Sequence, residues 1–403
     1  MGSDYVIHFS TQAVTSASVT AKGTSSAPYV IAAGRYNTIS IANSYVVFDG
    51  PVAADSLSLT GGSVLMQMQT GFSGAERLDI QASNIAIDAT SKIDVSGKGY
   101  PGAYQGGNQS NIGRTIGNTT AGGSSEYSGG GYGGSGGSFN SGTVNAVYGD
   151  PLNPNEIGSG GGGNSSYSGG NGGGLIRIKA GTISLDGSII SDGQAGSGYG
   201  GGGSGGGGRI AVYYGILELP QGNVVASGAA TNSPGGAGTI YLKSTTLGTD
   251  HLIVDNRGAD TGEGSTLLRS MGSGVVSDVT PDTLTTSGSS WQPGALKGMR
   301  FAPDVTQSRY FTVIDNDATS LRIDPAEGDL TQATARGLTF SGVYAFTKVS
   351  VLGKGRLTGF DRFAVVDELL LDGSTLVTNS INTDRLTLRN GGLLSQWRTT
   401  TGQ

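Results

Sequence analysis

No cysteine occurs among the 403 residues, and histidine occurs only twice. The first absence excludes a disulfide framework and a thiolate metal centre. The second leaves His8 and His251 as the sole bases for a serine–histidine–aspartate triad. They lie far apart in the chain. His251 sits in TDHLIVDN beside an apolar strand, where a hydrogen-bonded or solvated imidazole is the ordinary state. Charge is scarce as well, at 13% of residues, about half the usual share. The net charge of -6 provides no basic field to attract nucleic acid or an anionic membrane. No apolar run approaches the roughly 18 residues of a membrane span, so membrane insertion is not expected. Amphipathic helical patterning is nearly missing, which places the chain in the all-β class.

What is abundant is glycine, 74 residues of it, and a three-beat apolar pattern that returns after each glycine-rich excursion. Leu78-Asp79-Ile80, Ile85-Ala86-Ile87 and Ile93-Asp94-Val95 make one set. Ile176-Arg177-Ile178, Ile183-Ser184-Leu185 and Ile189-Ile190 make a second. Ile210-Ala211-Val212, Ile216 to Leu219 and Val224-Val225 make a third, and Ile240-Tyr241-Leu242, Leu247 and Leu252 to Val254 a looser fourth. Each set reads as three short strands joined by tight corners, the pattern of one coil of a parallel β-solenoid. The predicted fold is a right-handed parallel β-helix with glycine-rich lateral loops and a small inserted β domain.

Along the chain, residues 4–96 are strand-rich. Ile39/Ile41, Leu57/Leu59 and Leu78/Ile80 recur at spacings of 18 and 21, and Tyr5 to Phe9 is a candidate capping strand. Residues 97–174 form a glycine-rich insertion containing GGSSEYSGGGYGGSGGS and GSGGGGNSSYSGGNGGG. Such composition is the mark of a disordered linker. Yet strong coils bracket it, and further glycine runs recur at 193–208 and 228–238. This recurrence argues for ordered loops that stack in polyproline-II fashion. Residues 175–270 return to coils. Residues 271–346 break the repeat with a small inserted β domain, in which Asp315-Asn316-Asp317 reads as a hairpin turn. Residues 347–403 resume the repeat through Val349/Val351, Leu369/Leu371 and Leu386/Leu388. Met1-Gly2-Ser3 reads as a cloning remnant with no secretory signal after it, and Arg398 to Gln403 stop without a closing element. The chain is therefore expected to be a piece of a larger parent polypeptide.

The run GGGLIRIKAGTISLDGSIISDGQAG, followed by GGGGSGGGGRIAVYY, resembles glycine-rich β-helix segments of very large bacterial secreted or cell-surface, adhesin-like proteins. YGDPLNPNEIGSGGGG and SSWQPGALKGMRF…YFTVIDNDATSLRID, closing in GVYAF, are similar to flanking parts of such proteins. The resemblance covers about half the chain. It implies a parallel β-helix and an extracellular or cell-surface location, without fixing a function.

Three kinds of candidate site follow. Tyr100, Tyr104, Tyr127, Tyr132, Tyr148, Tyr167 and Tyr199 lie among Gly, Ser and Asn. Antibody loops use the same mixture of rigid aromatic area and adaptable hydrogen bonding, so these tyrosines are candidate glycan contacts. The bland alternative is that the rings simply cover glycine backbone. Asp255 and Asp260 in DNRGADTGEG, and Asp315 and Asp317 in IDNDATSLRID, have the hard oxygen donors that calcium takes, although turn formation is the commoner use of such residues. Asp79, Asp88, Asp94, Asp186, Asp192 and Asp255 are the acids available to a glycosidase or lyase. Asp79 and Arg177, on one face of stacked coils, would make an ion pair rather than an acid pair. The expected role is a non-enzymatic rod for adhesion or scaffolding, with a cell-surface glycan or matrix polymer as partner. The alternatives are a polysaccharide-degrading enzyme or tailspike-like depolymerase, and a passive structural segment of a large toxin or delivery protein.

Overall fold

The computed structural model describes residues 15–68, 77–139, 142–197, 201–218, 223–262 and 264–396. The expected capping strand Tyr5 to Phe9, His8 and Tyr199 lie outside the described residues. The protein is nearly all β with parallel sheets. Among the described residues, helix is confined to three single turns, Ile116–Asn118, Pro325–Glu327 and Leu330–Gln332.

Two parallel ladders build the first stack. Long strands Gly34–Ala42, Val52–Thr60, Leu78–Ile87, Leu175–Leu185 and Arg209–Glu218 pair in chain order. Short strands Tyr29–Ile31, Tyr45–Phe48, Val64–Met66, Lys92–Asp94, Ser188–Ile190 and Val224–Val225 form a second sheet, also in chain order. The chain thus alternates between a long and a short strand on each rung. Inward side chains stack on their own kind. Ile39, Leu57, Ile85 and Ile183 share one row, and Leu78, Ile176, Ile210 and Ile240 another. All are buried in one apolar core from Val19 to Leu242.

This arrangement departs from the expected rung in two ways. In the first two sets the first two apolar beats lie in one strand, so Leu78-Asp79-Ile80 and Ile85-Ala86-Ile87 both belong to Leu78–Ile87, whereas in the fourth Leu247 lies outside the strand and is exposed. The row beginning at Ile39 and Leu57 also continues at Ile85 rather than Leu78. A spacing of 18 or 21 counts residues, whereas register is set by hydrogen bonding, and the connection before Leu78 is longer than its predecessor.

The 97–174 insertion does not interrupt the ladder. Ile80 pairs with Ile178 and Ile87 with Leu185 as if the intervening residues were absent. A larger change follows Thr239–Ser244. The corner Thr245–Thr249 is closed by the Ser244 amide on the Thr249 carbonyl, at 2.8 Å. It returns the chain as Asp250–Asp255, antiparallel to its neighbour, with Ile240 opposite Ile253. From there a second stack is parallel again. Asp250–Asp255, Thr339–Leu352 and Arg362–Asp372 pair in order, and Leu386–Arg389 follows. Thr266–Leu267, Arg356–Gly359, Thr375–Thr378 and Leu393–Ser395 form its short sheet. The rows Val349–Leu369–Leu386 and Val351–Leu371–Leu388 match the expected repeat. The second stack therefore resumes the repeat with strand direction reversed.

Between the stacks, antiparallel strands from Ser273–Val279 to Ser320–Ile323 enclose their own core of Phe301, Phe311, Phe340 and Leu321, with Trp291 against it. The expected hairpin is present as Phe311–Asn316 with Ser320–Ile323, but Asp315 and Asn316 pair within the first strand, so the turn falls at Asp317–Thr319 rather than at Asp315–Asp317. The expected boundary at 346 falls inside one continuous strand, Thr339–Leu352, which begins in the module and ends in the second stack. Buried Asp361 ties this junction. Its carboxylate accepts hydrogen bonds from Ser270 Oγ at 2.6 Å and from the Met271 and Gly272 amides at 2.8 Å each. Burial raises the pKa of Asp361, the amides opposing.

Candidate functional site

The glycine-rich segments are ordered chiefly by backbone hydrogen bonds, with Asn145, Asn171 and Asn256 side chains completing some of them. In Gly203–Gly208, the amides of Gly203 and Gly206 donate to the carbonyls of Gly162 and Ser159, at 2.8 and 3.1 Å. Those of Ser204 and Gly207 donate to Ser233 and Gly236, at 3.0 and 2.9 Å. Those of Gly205 and Gly208 donate to Gln194 and Ser191, at 2.9 and 2.8 Å. Every third residue therefore faces the same neighbour. A helix with three residues per turn and no internal hydrogen bonds is polyproline II, and here such helices bond laterally into a bundle. Neighbouring segments run in both directions. Gly170 and Gly173 donate to Gly203 and Gly206 in parallel, at 2.8 Å each, while Gly158 and Gly161 donate to Gly173 and Gly170 in antiparallel, at 2.8 and 2.9 Å. Glycine is required by proximity. A β-carbon on Gly205 would overlap the carbonyl of Asn171, and one on Gly170 that of Gln194.

The bundle grows from one corner of the first stack. Gly174, Gly208 and Gly238 lead directly into Leu175–Leu185, Arg209–Glu218 and Thr239–Ser244. The opposite ends of the arms turn back away from the stack. At this outer end Gln105 Nε2 donates to Ser168 Oγ at 3.0 Å, the hydroxyls of Ser168 and Ser197 bond to each other, and Asn164 Nδ2 donates to the Tyr127 hydroxyl. The Tyr127 ring meets Phe139 and Tyr167 edge-on, at centroid distances of 6.0 and 6.2 Å. Tyr104 is 42% exposed nearby. Tyr104 and Tyr127 have φ of 53° and 62°, a left-handed backbone unfavourable to aromatic residues. Such strain persists where surrounding structure imposes it, and it clusters at binding sites.

The sequence-predicted tyrosines thus divide. Tyr104, Tyr127 and Tyr167 reach the outer end. Tyr100 and Tyr132 are buried, which removes their ring faces from any ligand and corrects that expectation. Tyr148 packs on Tyr132 at 4.9 Å and donates to the Ile157 carbonyl. Burial raises all three phenols well above their ordinary range, so they act as neutral donors. Their task is to clamp a strap, residues 148–157, over the outer face of the long sheet. Arg209, buried, lies 4.4 Å over the Tyr132 ring and donates to the Tyr148 carbonyl and Thr239 Oγ1, at 2.8 Å each. Arg177 pairs with Asp79 at 2.6 Å and bonds Asn155 Oδ1 at 2.8 Å. The expected Asp79–Arg177 ion pair is present, and it lies beneath the strap, with Asp79 1% exposed.

The calcium candidates occupy turns. Asp317 accepts from the Thr319 and Ser320 amides at 2.8 and 2.7 Å, and Asp315 pairs with Lys297 at 3.1 Å. Asp255 accepts from the Arg257 amide at 2.7 Å, and Asp260 from the Gly262 amide at 2.9 Å beside Lys354. Among the described residues no group of three or more acids and histidines is placed to hold a metal. The other acids are similarly engaged. Asp88 accepts from the Gly61 amide at 2.7 Å, which, with its hydroxyl neighbours, lowers its pKa to about 2. Asp94 pairs with Lys92 at 2.7 Å, Asp192 accepts from Ser227, and Asp186 stands at the Asp186-Gly187 corner. His251 contacts Ser350 Oγ at 2.8 Å. Comparison with protein-family models, curated proteins and solved structures gives no match.

Proposed function

We propose that this protein is a non-enzymatic extracellular adhesion module, a right-handed parallel β-helix that holds a glycine-rich bundle out from its flank so that the bundle's outer loops bind a surface glycan. The observation that carries this reading is the tip itself. Tyr104, Tyr127, Phe139 and Tyr167 gather there with Asn164, Gln105, Ser168 and Ser197, two of the tyrosines in left-handed backbone. Aromatic faces stack on sugar rings while amides and hydroxyls read sugar hydroxyls, the division of labour seen in antibody loops. The bundle supports them rigidly, because its interior amides are already bonded and little ordering is left for binding to cost. The right hand is the one that parallel strands with intervening crossovers almost always adopt. Membership of a larger bacterial surface protein, as the sequence resemblance implies, would add avidity through repeated copies.

The test is a glycan array together with whole bacterial cells, comparing the wild type with a Tyr104→Ala, Tyr127→Ala, Tyr167→Ala triple variant. The reading expects wild-type binding that falls at least about tenfold in the variant, in keeping with the cost of removing interface aromatics. Binding unchanged by the three substitutions, or no binding by the wild type to any glycan or cell, would contradict it.

A further inference from the structure

A polar hollow opens on the flank of the bundle, between the corner where the bundle leaves the first stack and its outer end. It holds about 370 Å³ and is lined by Ser96, Gly97, Lys98, Gln105, Asn171 and Gln194. That volume lies in the range of small-molecule sites, about 300–1,000 Å³. Every side chain lining it is polar, and none is a carboxylate or an aromatic ring. The backbone fixes their positions. The Gln194 amide donates to the Asn171 carbonyl at 2.8 Å, and the Gly99 amide to the Gly172 carbonyl at 2.6 Å. Gly97 leaves room for the Gln194 side chain, which an added β-carbon would press upon.

The lining keeps hydrogen-bonding capacity unused. Asn171 is only 7% exposed. Its Oδ1 accepts from the Gly102 amide at 3.0 Å, while its Nδ2 has no partner among the described residues. That nitrogen is nevertheless not sealed in the interior, so the hollow is where it meets solvent. Gln194 repeats the pattern, with Oε1 facing the Asn171 amide at 3.5 Å and Nε2 unpartnered. Gln105 is the converse, its Nε2 donating to Ser168 and its Oε1 left over. Lys98 adds an amine whose pKa burial lowers, Asp94 opposing. The acids nearby are turned to other partners, Asp94 to Lys92 and the Ser96 amide, Asp192 to Ser227. Donors therefore outnumber acceptors in the hollow. Such a set suits an anion with a hydroxyl beside its charge, and a carboxylate arriving at Lys98 would offset the burial of that amine.

We propose that this hollow binds a hydroxy acid, with Lys98, Asn171 Nδ2 and Gln194 Nε2 donating to the carboxylate and Gln105 Oε1 accepting from a hydroxyl. The site adjoins the tip at Gln105 but does not depend on glycan binding there. A free sugar acid and a uronic acid residue within a polymer carry the same chemistry.

Calorimetric titration of the full chain with D-gluconate at low salt tests this. Sorbitol, which lacks the carboxylate, and succinate, which lacks the hydroxyls, are the controls. Saturable gluconate binding is expected, with both controls at least about tenfold weaker. Lys98→Met should weaken gluconate about tenfold or more, as loss of a charge-assisted pair does, and Gln194→Ala about threefold to tenfold. Unchanged melting curves report that both variants fold. The Tyr104→Ala, Tyr127→Ala, Tyr167→Ala variant should bind gluconate as the wild type does, which separates this site from the tip. A galacturonic acid tetramer distinguishes the sources: tighter binding than gluconate assigns the hollow to a polymer, and equal or weaker binding to a free acid, either in accord with the proposal. No saturable gluconate binding, equal affinity for sorbitol or succinate, or undiminished binding in both Lys98→Met and Gln194→Ala would each overturn it.

Discussion

The two stacks and the glycine-rich bundle reach order by opposite means. In the stacks, backbone hydrogen bonds join neighbouring rungs while branched side chains such as Ile85, Ile183 and Val351 fill a dry interior. In the bundle Gly203–Gly208 packs mainly against neighbouring backbone, at distances where an added β-carbon would collide. Stability in the first comes from apolar area removed from water. In the second it comes from paired backbone amides, which offset the large entropy that glycine loses on ordering. The same residue should therefore be harmless in one region and ruinous in the other.

The largest effect is expected at Gly205→Val. Its side chain would collide with the Asn171 carbonyl, with no flexible group to yield, and should cost about 5 kcal/mol or detach the bundle from the fold. Chemical denaturation and limited proteolysis within 97–174 would show it. Next is Asp79→Ala, which strands Arg177 beneath the strap and should destabilise by about 4 kcal/mol. Since the strap belongs to the bundle and the ion pair to the stack, this variant measures how strongly the two regions lean on each other.

A pH effect comes third. Burial, then Lys348, lowers the pKa of His251 to about 4. Between that value and about 6.5 the unfolded chain binds a proton that the folded chain does not. Stability should therefore decline as pH falls through this window, by up to about 3 kcal/mol, and His251→Gln should flatten that part of the profile. Glu368 and Asp250 work the other way, favouring the charged ring. A profile without the decline, or one unchanged by His251→Gln, would remove His251 from the account. The smallest effect is Ile183→Val, the counterpart of the first variant, at about 1 kcal/mol with the bundle intact.

The apolar repeat made the β class, the stacking rows of the second stack and the presence of a hairpin near Asp315–Asp317 legible in the sequence. Alternation reports directly which side chains face inward. Register was less legible, as the Leu57–Ile85 pairing shows, because connection length and hydrogen bonding are not written in apolar spacing. Reversal of strand direction after Ser244 left only Leu247-Gly248-Thr249 as a trace, and a turn signal does not say whether the returning strand is parallel. The tyrosines could be found but not sorted, because Tyr100, Tyr104 and Tyr132 share similar neighbours in sequence and differ only in depth. Arg209 and Arg300 illustrate the same limit. One is buried over an aromatic ring and the other open to solvent, and nothing local in the sequence separates them.

The central claim is that the glycine-rich segments form a bundle held by their own amides. Hydrogen exchange resolved at Gly170, Gly173, Gly203 and Gly206 tests it most directly. The account predicts protection comparable to that of Ile178 and Ile183 in the adjoining long strand. Exchange of those glycine amides at the rate of an unstructured chain, beside a protected Ile178 and Ile183, would contradict it.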